Sequence, residues 1–251
     1  MSSDLIDEVG RGDRRAVSRL ITELIERPTP ELLSTLLRKP KRAPIVGITG
    51  PPGSGKSTLV NRLITHWRSD GRRPGVILID PSSPFTGGAI LGDRVRMQEH
   101  AGDVEVFMRS LAARGKLGGL AEGVDSVARA LDLAGFDPLV IETVGVGQSE
   151  IDVMRLADTV VVVLHPGWGD SVQASKAGLM EAADIFCVNK SDQPGADRVE
   201  SDLQQMVAMN PPGSKEPRIV LTSALNGNGI SDLAEAIAEK LEQLANAQKP
   251  G

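Results

Sequence analysis

Eight consecutive residues, Gly50-Pro51-Pro52-Gly53-Ser54-Gly55-Lys56-Ser57, restrict this chain more than any other stretch. They fit the pattern G-x-x-x-x-G-K-[ST], directly after an apolar, strand-like run at 45–49 and directly before an amphipathic stretch at 57–67. The glycines let the backbone curl until successive N–H groups point inward, and the helix that follows adds the positive end of its dipole. Such a loop takes the phosphates of a nucleotide, with the Lys56 ammonium reaching the β- and γ-phosphates and the Ser57 hydroxyl ligating Mg²⁺. The phosphate-facing set is therefore Gly50, Pro51, Pro52, Gly53, Ser54, Gly55, Lys56, Ser57 and the adjoining Thr58.

From 45 onward the chain alternates apolar runs with helical stretches. The runs fall at 45–49, 76–79, 104–108, 139–141, 159–164, 185–188 and 218–221. Several are apolar throughout rather than alternating, the mark of strands buried on both faces of a parallel sheet. The expected fold is α/β: a doubly wound, mostly parallel P-loop NTPase sheet with an N-terminal helical appendage. With 251 residues and 40 % apolar content, the chain is large enough for a substantial core. In the appendage, Ala16, Val17, Leu20, Ile21, Leu24 and Ile25 repeat at helical spacing with Asp13 as N-cap, and Pro28-Thr29-Pro30 turns the chain into a second helix at 31–37. Residues 1–43 read as this extension and its linker, and 44–251 as the nucleotide-binding domain.

Composition narrows the partners. A formal net charge of −5 gives no reason to expect nucleic acid, and the basic stretch Arg38-Lys39-Pro40-Lys41-Arg42 reads as a solvated linker. The longest apolar run, 159–164, is far short of the ~20 residues that span a bilayer, and the first residues lack a basic-then-apolar signal, so no membrane association and a cytoplasmic location are expected. The single cysteine, Cys187, lies in an apolar run and reads as a core residue; His66, His100 and His165 are scattered.

The base can be read as well. Asn189-Lys190-Ser191-Asp192 follows the run 185–188 and is the N-K-x-D pattern of guanine-nucleotide binders. The Asp192 carboxylate accepts from guanine N1–H and the exocyclic amine, whereas adenine would set a lone pair against it. Ser223 and Ala224 follow the last run, where G proteins place a backbone contact to guanine O6. GTP and GDP are thus the expected substrate and product. Three carboxylates follow runs or loops on the same edge: Asp80, Asp93 in Gly92-Asp93-Arg94, and Glu142, which opens a segment resembling D-x-x-G. Mg²⁺ takes oxygen ligands and keeps several waters, so Ser57, Asp80, Asp93 and Glu142 form the candidate metal set, with direct and water-mediated ligation left open. Glycine-rich segments at 81–92, 115–119 and 145–150 are candidate switch loops.

Five strings, Asp80-Pro81-Ser82-Ser83-Pro84, Gly87-Gly88-Ala89-Ile90-Leu91-Gly92-Asp93-Arg94, Leu117-Gly118-Gly119, Glu142-Thr143-Val144-Gly145-Val146-Gly147-Gln148-Ser149-Glu150 and Asn189-Lys190-Ser191-Asp192, go further. In order and spacing, over about 20–237, they resemble the methylmalonyl-CoA mutase-associated GTPases, the MeaB/ArgK family of SIMIBI-class P-loop GTPases. The resemblance implies a Mg²⁺-dependent GTPase that chaperones an adenosylcobalamin-dependent acyl-CoA mutase, methylmalonyl-CoA mutase or a close relative. It would gate cofactor loading and protect or reactivate the mutase. Carried over, it gives Lys56 a phosphate role and Ser57, Asp80, Asp93 and Glu142 roles at Mg²⁺ and water, so that Lys56, Asp93 and Glu142 are the expected catalytic residues. It also makes 165–178 similar to the loop that couples nucleotide state to the partner, with Trp168 where many relatives carry a small residue or methionine. Relatives usually continue into a helical arm that forms a homodimer, and a chain ending at Lys249-Pro250-Gly251 is not expected to dimerise by that arm.

Two other classes compete. A kinase needs an acceptor site with its own base and a means of excluding water, and GTP is an unusual donor. A nickel or cobalt metallochaperone needs clusters of Cys and His that one cysteine and three scattered histidines do not supply.

Overall fold

The computed structural model describes residues 2–38, 43–80, 99–100, 102–112, 119–143, 154–167, 182–211 and 216–247. Asp93, the segments expected to switch at 81–92 and 145–150, and most of 115–119 and 165–178 lie outside them.

Seven parallel strands form one sheet: β1 (Ile45–Thr49), β2 (Gly75–Asp80), β3 (Phe107–Ala112), β4 (Leu139–Thr143), β5 (Thr159–Leu164), β6 (Ile185–Val188) and β7 (Arg218–Leu221). Their order is β3-β2-β4-β1-β5-β6-β7, which puts β1 near the middle and every carboxyl end on one edge. Among the described residues the helices are α1 (Ser2–Gly10), α2 (Arg14–Glu26), α3 (Pro30–Leu37), α4 (Lys56–Ser69), α5 (Gly119–Leu133), α6 (Ala196–Ala208) and α7 (Ile230–Ala247). Among the described residues, no helix is long and apolar enough to cross a membrane.

Strand side chains alternate between two cores. On one face α4 and α7 bring Leu59, Leu63, Trp67, Leu233 and Ile237 against Val46, Ile48, Val161 and Val163. On the other, Leu131 of α5 and Leu203 of α6 join Ile45, Val162 and Phe186. Burial on both faces explains why β1, β5 and β6 are readable as unbroken apolar runs. Helices α1 to α3 pack onto α5, so Leu5, Val9, Leu20 and Leu36 belong to this second core. The cap expected at Asp13 is made: its Oδ1 accepts from the Arg15 and Ala16 amides at 2.8 and 3.1 Å. The Ala16 amide, followed by that of Arg15, holds the carboxyl below its ordinary value.

Several elements differ from the expectation, and β2 runs Gly75–Asp80 rather than 76–79, so Asp80 is its last residue. The strand placed at 104–108 runs instead over Phe107–Ala112. Asp103 turns the chain before it, accepting from the Glu105 amide at 2.9 Å and from Arg68, while Val104 stands 67 % exposed. As an edge strand β3 carries Arg109 and Ser110, which conceals it from an apolar-run reading. The run at 139–141 extends to Thr143, so Glu142 is inside β4 rather than beyond it. Helix α1 was not anticipated; at nine residues, with Leu5, Ile6 and Val9 buried, its pattern is too short to stand out.

Candidate nucleotide site

The eight-residue motif forms the turn between β1 and α4. Gly50 leaves β1 with φ 144°, where a Cβ would lie 2.1 Å from the Val163 carbonyl oxygen. Gly55, the residue before α4, sits at φ 90° with no side chain capping the helix, and a Cβ there would lie 2.4 Å from Asn189 Nδ2. An uncapped N-terminus with its dipole is a place for an anion. Lys56 opens α4 and is only 6 % exposed; its Nζ donates to Gly50 O at 2.8 Å and Pro51 O at 3.0 Å. The ammonium is thus folded into the loop, held by the carbonyls that the turn directs inward.

One residue on, Ser57 Oγ donates to Glu142 Oε1 at 2.6 Å. Glu142 is paired across the sheet with Ile48 of β1 and Leu78 of β2, and is 4 % exposed. A carboxylate this deep in a parallel sheet is costly without a strong partner, and a short charge-assisted bond is one. Beside it Thr143 Oγ1 donates to Thr49 Oγ1 at 2.9 Å, joining β4 to the last residue of β1. Asp80 closes β2 on the same edge, opposite Ala112.

The residues expected to read the base gather at the ends of β6 and β7. Asn189 is buried, and its two side-chain atoms face different partners. Nδ2 donates to Ser54 O at 2.8 Å, while Oδ1 accepts from Thr222 Oγ1 at 3.1 Å and the Ala224 amide at 3.0 Å. The amide expected to face guanine O6 is therefore engaged with Asn189 in this structure. Lys190 adopts φ 61°, turning the chain so that Ser191 N–H reaches Thr222 O at 2.9 Å. Ser223 Oγ donates to Asp192 Oδ1, which fixes the carboxylate and leaves it further acceptor positions. Behind them Cys187 Sγ lies 3.1 Å from Thr222 Oγ1, and burial pushes its thiol up to about 12.

A cavity of about 480 Å³ opens over this edge, its lining including Gly53, Lys56, Ser57, Thr58, Glu142 and Leu225. That is within the ~300–1,000 Å³ usual for small-molecule sites. The phosphate loop, Glu142 and Leu225 of the β7–α7 connection, far apart in the chain, meet here, whereas Asn189, Lys190, Asp192, Ser223 and Ala224 lie outside its lining. Sequence reasoning missed Arg62, whose Nε and Nη2 bond the carbonyls of Ala224 and Leu225, and the Thr49–Thr143 pair. An arginine on a helix carries no local signal of its target, and the two threonines had only their places at strand ends.

A family model described as methylmalonyl Co-A mutase-associated GTPase MeaB matches residues 17–250. The chain belongs to the MeaB family. A protein of Pyrococcus abyssi described as a GTPase is 49 % identical over 250 residues, 97 % of this chain and 77 % of that protein. The GTPase ArgK of Escherichia coli is 34 % identical over 94 % of this chain and 75 % of its own. A fused isobutyryl-CoA mutase of Cupriavidus metallidurans is 34 % identical over 98 % of this chain and 24 % of that much longer protein. Among solved structures, one described as a LAO/AO transport system kinase superposes with TM-score 0.78 at 25 % identity, covering 98 % of this chain and 77 % of that one. As a MeaB-family protein the chain is a P-loop GTPase, as its motifs led us to expect, and a chaperone of an adenosylcobalamin-dependent acyl-CoA mutase, as the family resemblance implied. The kinase and metallochaperone alternatives give way to that reading.

Proposed function

We propose that this MeaB-family GTPase turns over Mg²⁺·GTP in the cavity between α4 and the β7–α7 connection, and that the cycle gates adenosylcobalamin loading of its mutase and protects or reactivates it. The observation that carries the reading is Asn189, whose side chain joins the Ser54 carbonyl to the Ala224 amide and so ties the phosphate loop directly to the base loop. In this reading Gly50 to Thr58 take the phosphates, and Asn189, Lys190, Asp192, Ser223 and Ala224 select guanine. Lys56, Asp93 and Glu142 carry hydrolysis. Residues 1–43 are the helical extension of a G domain at 44–251.

The donor set fits Mg²⁺. Ser57 and Glu142 present hard oxygens side by side at the cavity, and a cation that keeps several waters needs few protein ligands. Because Glu142 accepts the Ser57 proton, the Ser57 oxygen keeps lone pairs for a cation, with Asp80 and Asp93 completing the set directly or through water. When bound, Mg²⁺ neutralises charge on the β- and γ-phosphates. Glu142→Gln preserves an acceptor for Ser57 but removes the charge. GTP affinity is expected to change less than about threefold while kcat falls about thirtyfold. Titration combined with single-turnover kinetics separates the two, and retained kcat with collapsed affinity would make Glu142 a ground-state ligand instead.

The gating role is tested by steady-state GTP turnover with and without methylmalonyl-CoA mutase or isobutyryl-CoA mutase, the latter chosen because a relative joins a similar stretch to one. The cognate mutase is expected to accelerate hydrolysis at least about tenfold by ordering catalytic groups. Linkage then requires the GTP- and GDP-bound forms to bind the mutase with different affinities. Unchanged turnover together with equal affinities would leave a GTPase without this role.

A further inference from the structure

The connection between β7 and α7 carries the groups that face the base in the proposed function, yet the N-K-x-D residues supply only its inner support. From that side Asn189 Oδ1 takes the Ala224 amide at 3.0 Å, and Asp192 takes the Ser223 hydroxyl. From the other side Arg62 of α4 reaches across: Nε donates to Ala224 O at 2.9 Å and Nη2 to Leu225 O at 2.9 Å. Two neighbouring donors of one planar guanidinium thus meet the carbonyls of two consecutive residues. A fork of this kind fixes orientation as well as distance, which a lysine's single point charge cannot do.

Helix α4 is the one that opens at Lys56. Arg62 lies six residues further on, ~9 Å up the helix at 1.5 Å per residue. The helix whose N-terminus serves the phosphate end therefore also grips the base end. Both Arg62 and Leu225 line the cavity, and Leu225 is 75 % exposed, an apolar side chain at the rim. Residues 225–228 are all exposed and are held as a turn by backbone bonds from Asn226 and Gly227 to Ser223 O and from Ser223 to Asn228 O, so the turn's seat on the fold depends on the ties at Ser223, Ala224 and Arg62.

We propose that Arg62 is a positioning residue for guanine recognition, holding the Ala224 and Leu225 peptide groups in register with Asn189 and Asp192 and linking base affinity to the seating of α4. The proposal rests on the guanine selection stated under the proposed function. Without the guanidinium, the 224–228 segment samples more conformations in the free protein, and each binding event must order it. Both bonds go to the base-side connection, so the loss falls on the base rather than on phosphate chemistry.

The test uses the full chain and its Arg62→Ala and Arg62→Lys variants, with fluorescent GDP and ADP titrations and steady-state GTP kinetics. For Arg62→Ala, GDP affinity is expected to fall about tenfold, the scale of losing charge-assisted hydrogen bonds. ADP affinity should shift less than about twofold, so the guanine preference falls by nearly the whole factor. KM for GTP should rise in parallel while kcat changes less than about twofold, and Arg62→Lys should recover part of the loss through one carbonyl. Thermal unfolding of each variant checks the fold, and if Arg62→Ala fails to fold, the intermediate loss in Arg62→Lys still decides. Unchanged GDP affinity overturns the proposal. Equal losses for GDP and ADP overturn it too, since Arg62 would then support the helix or the phosphate loop alone. Equal GDP and ADP binding in the unsubstituted protein would overturn the guanine reading, and this proposal with it, before any variant is made.

Discussion

Lys56→Ala is expected to lower kcat/KM for GTP about a thousandfold, a larger effect than that of any other single substitution in the site. The ammonium is the charge that a transferring γ-phosphoryl group requires, and among the described residues no neighbouring side chain can replace it at the same point in the turn. Structure adds a second component to a change that sequence alone would treat as purely electrostatic. The lysine is not an exposed reader of phosphate: it is 6 % exposed and bonds Gly50 O and Pro51 O, so alanine also unties the loop. Loss of those bonds should cost about 1–3 kcal/mol of stability, visible in urea unfolding of the nucleotide-free protein. Turnover within tenfold of the parent would remove Lys56 from the site.

Asp192→Asn is expected to reduce a GTP-over-ATP preference of at least about a hundredfold to within about tenfold, read by calorimetry with both nucleotides. In the proposed function the carboxylate rejects adenine by presenting acceptors only, and a carboxamide would present a donor as well. The Ser223 hydroxyl can still donate to the asparagine oxygen, so the turn itself should persist. Equal ATP and GTP affinities in the parent would defeat the assignment, as would an unaltered preference in the variant.

Much of the fold was legible because the sheet is buried on both faces. β1, β5 and β6 appear in the sequence as apolar runs with their observed bounds, and the edge strand β7, with only Val220 buried, was found by its Ile219-Val220-Leu221 run alone. β3 was misplaced because an edge strand does not need apolar residues on both faces, and Arg109 there reaches Thr22 of α2 rather than water. The candidate site was legible wherever chemistry demands fixed spacing, as in the turn at 50–57 and in Asn189 to Asp192. Hidden from a linear reading were the ties across the fold: Arg62 to Ala224, Thr49 to Thr143, and the depth of Glu142 within β4. These depend on which strands become neighbours, and β1 lies beside β4 only after the intervening chain has folded back.

The place of Gly55 beneath the Asn189 amide limits how a sequence of this shape can drift. Position 55 is closed to other letters twice over, by its left-handed backbone and by the nitrogen that would lie 2.4 Å from any Cβ. Shortening residue 189 to admit a larger neighbour would free that space but strip the Ser54 carbonyl and the Ala224 amide of a shared partner. The two signatures by which such chains are recognised are therefore not independent words. A side chain at position 55 would have to displace the Asn189 amide from the Ser54 carbonyl.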